Sequence, residues 1–235
     1  MAIIATDSKA DGDSVIHYHG TPITPRAVLE SMCPNNFCVS FAEPRDADWC
    51  LRNGQSVMFD NGAYSAFTLG RAVVWADFYR WLEGKLHHPH WAVVPDIIGG
   101  TVEDQRRMEA EWPYPRELSA TVYHFGEPFD RLRELLDHWP RIAIAGSVGT
   151  FPPGSEAWVR EIDKIWEVIG KSGRPWIHMM RAHSEASIGR WPFASADSAS
   201  WARHHAEYGA DKWHRLHAVN RTNPVITENK HMELF

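Results

Sequence analysis

Cysteine is scarce in this chain of 235 residues: there are three, Cys33, Cys38 and Cys50, and none follows Cys50. An odd, sparse set argues against a disulfide framework and suits a reducing compartment. Cys33 and Cys38 have no nearby Cys or His at the spacing of a zinc site, so they read as bystander thiols. Long apolar runs are also missing. No stretch reaches the roughly 18 residues of a membrane span, and no apolar run preceded by basic residues opens the chain as a secretory leader would. The expectation is a soluble, cytoplasmic protein with no membrane partner. Excess basic charge is lacking too: 24 Lys and Arg stand against 30 Asp and Glu, a formal charge of -6. No global field draws such a chain to nucleic acid, although a local basic patch can act within an acidic whole. There is no glycine-rich dinucleotide fingerprint and no composition shift that would mark a linker.

What is present suits one full core. Hydrophobic residues make up 44% of the chain, enough for a domain of this length to fold without staples. Eight short strand-like runs can be read: Val15–Gly20, Asn36–Phe41, Ser56–Asp60, Trp91–Ile97, Ala120–Phe125, Arg141–Gly146, Trp176–Arg181 and Phe193–Asp197. They are continuously apolar more than alternating, as parallel strands buried on both faces are. Helix-like segments lie between them. One starts at Thr24-Pro25, read as an N-cap followed by Pro in the first turn. Others span Asp46–Asn53, Arg71–Leu86, Thr101–Trp112 (opening on a Thr-x-x-Asp capping pattern), Glu127–Trp139, Ser155–Gly170, Ser184–Trp191 and Ala202–Leu216. Eight alternating units of about 25 residues predict one α/β domain over residues 1–235: a single (β/α)8 barrel of the TIM type, with an irregular tail over 217–235.

In such a barrel the polar residues at the C-terminal strand ends are the catalytic candidates. Strand one ends in His17-Tyr18-His19, strand three in Asp60-Asn61-Gly62-Ala63-Tyr64, and strand four in Pro95-Asp96. Strand five ends in His124-Phe125-Gly126, strand six in Gly146-Ser147, strand seven in His178 through Arg181, and strand eight in Asp197-Ser198. Three carboxylates, Asp60, Asp96 and Asp197, thus converge on one mouth. A lone strand-end Asp is often only a helix cap, but three on separate strands point to a site, because an acid on an apolar strand is costly unless paired or used. Two carboxylates can divide labour, one attacking and the other moving protons. That pairing suits displacement at an anomeric carbon. Gly62 and Gly146 suit a flat ligand, since a missing side chain lets backbone amides approach. Tyr64 offers a ring to stack on it.

The stretch Phe59-Asp60-Asn61-Gly62-Ala63-Tyr64-Ser65 resembles the Asp-Ser-Gly-Gly-(Phe/Tyr)-Gln motif of the tRNA-guanine transglycosylases. Val94-Pro95-Asp96 occupies the place of that family's base-reading aspartate after strand four. Ile142-Ala143-Ile144-Ala145-Gly146-Ser147-Val148-Gly149 resembles its strand-six glycine stretch, and Ser195-Ala196-Asp197-Ser198 occupies the place of its nucleophile. Order and strand assignments agree over about 140 residues. The resemblance implies base exchange. Asp197 attacks C1′ of a guanosine and leaves a covalent adduct, Asp60 is general acid and base, and a 7-deazaguanine such as preQ0 enters. Asp96 and the Gly146 amide read the base, with Tyr64 stacking on it. The family's zinc site after the barrel has no counterpart here, so no metal or other cofactor is expected. His124 or Gly126 stands where its strand-five glutamine does, and Met179-Met180-Arg181-Ala182 replaces its Met-Gly-Val-Gly. These departures and the shorter chain resemble the DNA-modifying branch of phages and bacterial genomic islands. DNA is therefore favoured over tRNA as the partner, with Met180 and Arg181 among the substrate contacts.

A second reading starts from His17-x-His19, which is how metal-dependent amidohydrolase barrels begin. With His124, His178 and Asp197, these residues could complete a zinc site; they could instead touch substrate or phosphate. Basic residues expected near the mouth are Arg181, Arg190, Arg203, Lys212 and Arg215, with His204, His205 and His214 on the same last helix as the final three.

Overall fold

A computed structural model describes residues 15–146, 150–170, 175–182 and 190–199. Eight parallel strands close into one barrel in chain order, with β8 returning to β1. The strands are β1 (Ile16–Gly20), β2 (Asn36–Ser40), β3 (Ser56–Asp60), β4 (Trp91–Val93), β5 (Ser119–His124), β6 (Arg141–Ala145), β7 (Trp176–Met179) and β8 (Ser195–Ser198). The helices are α1 (Arg26–Ser31), α2 (Ala47–Asn53), α3 (Ala63–Thr68), α4 (Trp75–Leu82), α5 (Val102–Glu111), α6 (Phe129–His138) and α7 (Glu156–Ile169). The (β/α)8 reading therefore holds. The segments expected as helices at Ser184–Trp191 and Ala202–Leu216 lie wholly or mostly outside the described residues, as do the tail 217–235 and His204, His205, His214, Arg203, Lys212 and Arg215. Among the described residues no helix is long and apolar enough to cross a membrane.

Strand alternation sorts the side chains into two cores. The outer one, between strands and helices, holds Phe37, Val39, Val57, Phe59, Tyr123, Ile142 and Ile144 with helix residues such as Phe78, Leu132 and Ile162. The inner one fills the barrel with Ile16, Tyr18, Cys38, Met58, Trp91, Val93, Val122, Trp176 and Met180. The barrel is thus a packed core and not a pore. Its floor carries a polar chain: Trp91 Nε1 donates to Tyr18 Oη at 2.9 Å, Tyr18 pairs with Ser56 Oγ at 3.1 Å, and Ser56 donates to the Pro89 carbonyl at 2.7 Å. Arg141 enters the same floor and is 3% exposed. Its guanidinium carbon lies 4.7 Å from the Trp91 ring centre and 5.7 Å from that of Trp176.

Several boundaries differ from the sequence expectation. Pro25, not Thr24, takes the N-cap position of α1, in extended conformation and without a side-chain cap. The segment expected as one helix over Arg71–Leu86 forms only α4, because Gly70 and Gly84 both take left-handed backbone (φ 61° and 72°) on either side of it. β4 stops at Val93, just before the residue that precedes Pro95, which has no N–H to give a ladder. The Thr101–Asp104 capping box forms as read, and Ser155 caps α7 through Trp158 N–H at 3.2 Å.

Candidate active site

The link from β3 to α3 is built first. Gly62 takes φ +78°, and a Cβ there would sit 3.1 Å from Ala42 N. Only glycine turns the chain this sharply at that distance. Its amide donates to Asp60 Oδ2 at 3.2 Å, and Ser40 Oγ donates to the same oxygen at 2.7 Å. The Gly62 amide is therefore engaged by Asp60, not left to a flat ligand as its motif suggested. Among the described residues, both hydrogen bonds to Asp60 fall on Oδ2. Burial is the largest influence on this carboxyl and pushes its pKa up; the Ser40 bond opposes it, Asp197 adds to the rise, Arg181 opposes, and Asp96 adds.

Asp197 is anchored in the same one-sided way. His178 Nε2 lies 3.2 Å from its Oδ1, and the backbone N–H of Arg181 donates to Oδ1 at 2.9 Å. Among the described residues no hydrogen bond falls on Oδ2, and the residue is 8% exposed. Arg181 reaches it from a left-handed backbone, φ 51°, the sole positive φ outside glycine in the described residues. A left-handed non-glycine residue costs on the order of 1 kcal/mol and collects at functional sites. The exposed Arg181 guanidinium covers Tyr64, with its central carbon 3.3 Å from the ring centre. One face of the expected stacking platform thus already carries a cation.

The third carboxylate is held differently. Asn61 Nδ2 donates to Asp96 Oδ1 at 2.8 Å, and His124 Nε2 lies 2.9 Å from Asp96 Oδ2. Asn61 is itself fully used, giving its second amide hydrogen to the Val94 carbonyl at 2.9 Å and accepting Ala63 N–H at 2.8 Å. His124 Nδ1 lies 3.1 Å from Glu127 Oε1, so the ring sits between two carboxylates. Burial alone would lower its pKa, but the bonds to Asp96 and Glu127 outweigh burial and lift it to about 9. Both ring nitrogens then carry protons and both are committed.

The remaining expectations fall out unevenly. Met180 packs in the inner core at the top of the barrel. Gly146 is exposed at the end of β6, and among the described residues nothing lies within 4 Å of where its Cβ would be. Arg190 is tied to Asp163 of α7 at 2.8 Å. His17 and His19 are not brought to the mouth. Their neighbours Ile16 and Tyr18 face the barrel interior, so alternation turns both histidines to the helix side, where His19 meets the Phe37 ring at 6.4 Å. The zinc set built on them does not converge, and among the described residues no group of three His, Cys, Asp or Glu side chains is arranged to hold a metal ion. Sequence reading overlooked Ser40, Asn61 as a clamp, Glu127, Ser195 and Trp176. Glu127 alone had a signal, standing three residues after His124; the others depend on strand register.

Fold and mouth together define a parallel (β/α)8 barrel with an acid-rich C-terminal face. No protein-family model, curated protein or solved structure matches the chain.

Proposed function

We propose that this protein is a base-exchange glycosyltransferase that replaces guanine in a nucleic acid, DNA in preference to tRNA, with a 7-deazaguanine such as preQ0. The observation that carries the reading is the one-sided anchoring of Asp60 and Asp197 at one mouth, each with one oxygen that takes no hydrogen bond from the described residues. Asp197 Oδ2 bonds to C1′ of the nucleoside as the C1′–N9 bond breaks. The departing guanine takes its proton from the Asp60 carboxylic acid, whose pKa burial shifts upward, the direction a proton donor needs. In the return half-reaction Asp60 accepts the N9 proton of the incoming base, N9 bonds to C1′, and the Asp197 ester breaks.

Asp96, held beside the His124 imidazolium, accepts from the donor-rich edge of a guanine-like base. Its two existing bonds still leave lone pairs. His124 touches no base in this scheme; it holds Asp96. The Gly146 amide reads the same base, and Tyr64 with Arg181 flanks the ring. Support for a polymeric substrate comes from the connection between β3 and α4. The exposed large apolar residues Phe67, Leu69 and Val74 all lie on it, with exposed Arg71 between them and Arg181 over Tyr64. Apolar side chains interleaved with cations suit unstacked bases and their phosphates. A guanine inside a duplex cannot reach a barrel mouth, so it must be flipped out or presented in a single strand.

The test is to incubate the protein with duplex DNA, single-stranded DNA and tRNA, each with labelled guanine or preQ0. Label entering DNA supports the proposal; no uptake into any of the three overturns it.

A further inference from the structure

We infer that His178 is a positioning residue: as a neutral ring with its proton on Nε2, it holds Oδ1 of Asp197 so that Oδ2 faces the substrate, and the barrel floor is built to keep it in that state. This deepens the proposed reaction and rests on Asp197 being its nucleophile.

The direction of the proton chain follows from its two ends. An indole N–H can only donate, and Trp176 Nε1 gives its hydrogen to Ser195 Oγ at 2.7 Å. The Ser195 hydroxyl proton is then free for His178 Nδ1, 2.8 Å away. The other end settles the tautomer: Nε2 faces a carboxylate oxygen, which accepts, so a neutral ring carries its one proton on Nε2 and leaves Nδ1 bare to accept from Ser195. The reverse assignment would set the Nε2 lone pair against a carboxylate oxygen, a repulsive contact in a buried site. The register that makes this possible pairs His178 with Ser195 across β7 and β8.

The surroundings oppose a second proton. His178 is fully buried. Among the described residues the charges that act on it are Asp197 from β8 and Arg141 from β6; the Tyr18 and Trp91 rings close on it from β1 and β4, with centres 6.0 and 5.1 Å away. Burial is the main reason its pKa sits below the ordinary value, Asp197 pulls the other way, and Arg141 adds to the depression. Trp91 and Trp176 serve twice, since the same two rings carry the Arg141 guanidinium. At the other side of the mouth His124 is held doubly protonated by two carboxylates. The same residue type thus stands in two fixed states, one per side.

The direct test is nitrogen-15 NMR of the imidazoles in the histidine-labelled protein, with His178→Gln identifying the His178 signals. The expected result is a neutral ring protonated on Nε2, unchanged across the range around 6.5 where an ordinary imidazole titrates. The Nδ1-protonated form, or an ordinary titration, overturns the inference. In kinetics, His178→Leu should slow adduct formation on the order of 10²-fold through misplacement of the attacking oxygen, with little change in affinity for the free base. His178→Gln, which keeps an N–H donor, should recover part of that loss. Arg141→Met leaves the burial in place and should only weaken the opposition to a second proton, moving any titration of His178 to higher pH than in the parent; if the floor does not tolerate it, the NMR of the unsubstituted protein still decides. If Asp197→Ala leaves adduct formation intact, the underlying reaction fails. If Asp197→Ala abolishes it while His178→Leu leaves the rate unchanged, only the positioning inference fails.

Discussion

The two sides of the barrel mouth treat their carboxylates in opposite ways. On the side of β3, β7 and β8, Asp60 and Asp197 are each fastened through one oxygen. On the side of β4 and β5, Asp96 is fastened through both, and its partner His124 is fastened again by Glu127. The first arrangement leaves one oxygen of each buried carboxylate without a hydrogen bond among the described residues. The second puts a protein hydrogen bond on each oxygen, which fixes the orientation of the carboxylate and still leaves lone pairs on it.

The difference can be broken from either side. Asp60→Asn has the largest expected effect: turnover falls about 10²- to 10⁴-fold, the usual range for a lost general acid–base, while weak base binding remains. The melting temperature should hold or rise. A carboxyl whose folded pKa is raised keeps its proton better when folded, so it costs stability as pH climbs from the ordinary carboxylate range through the raised value. Asparagine removes that cost. The gain should be seen at pH 7 and vanish in acid, and a clear loss of stability at pH 7 would contradict it.

His124→Gln should do the reverse, costing roughly 3 kcal/mol in urea unfolding below the ordinary histidine pKa. The sign follows from the raised pKa of about 9. That stability is fully present below 6.5 and is lost as pH rises through 9, so the gap between variant and parent should close in alkali. Gly62→Ala comes next. The left-handed φ and the close Ala42 backbone make it cost about 1–3 kcal/mol, and it should also slow turnover by moving an amide from Asp60. Arg181→Gly is the mildest. It keeps the N–H that holds Asp197 and relieves on the order of 1 kcal/mol of backbone strain, offset by the lost contact with Tyr64. The melting temperature should scarcely move, while the salt dependence of DNA binding should fall by about one charge.

All eight strands and their closure were legible in the sequence, because apolar runs between helical patterns report burial on both faces. Strand ends were legible only in part: β3 has the bounds expected, whereas β4, β7 and β8 do not. β8 is Ser195–Ser198, three polar residues and Ala196, buried because Ser195 and Asp197 feed the interior network. The helix α3 was hidden inside a motif read for chemistry. The acids themselves could be found, since a carboxylate on an apolar strand is conspicuous. Their partners could not, since Ser40 with Asp60, and His178 with Ser195, become neighbours only through register. His17 and His19 show the same limit: one residue of parity turned an attractive metal pair to the helix side.

The most direct measurement is peptide mass spectrometry of the protein after incubation with a guanine-containing oligonucleotide and no incoming base. The expected result is a nucleotide bonded to the peptide that contains Asp197, absent from Asp197→Ala and released when a 7-deazaguanine is added. An adduct on another residue, or base exchange that proceeds fully in Asp197→Ala, would contradict the assignment of Asp197 as the attacking group.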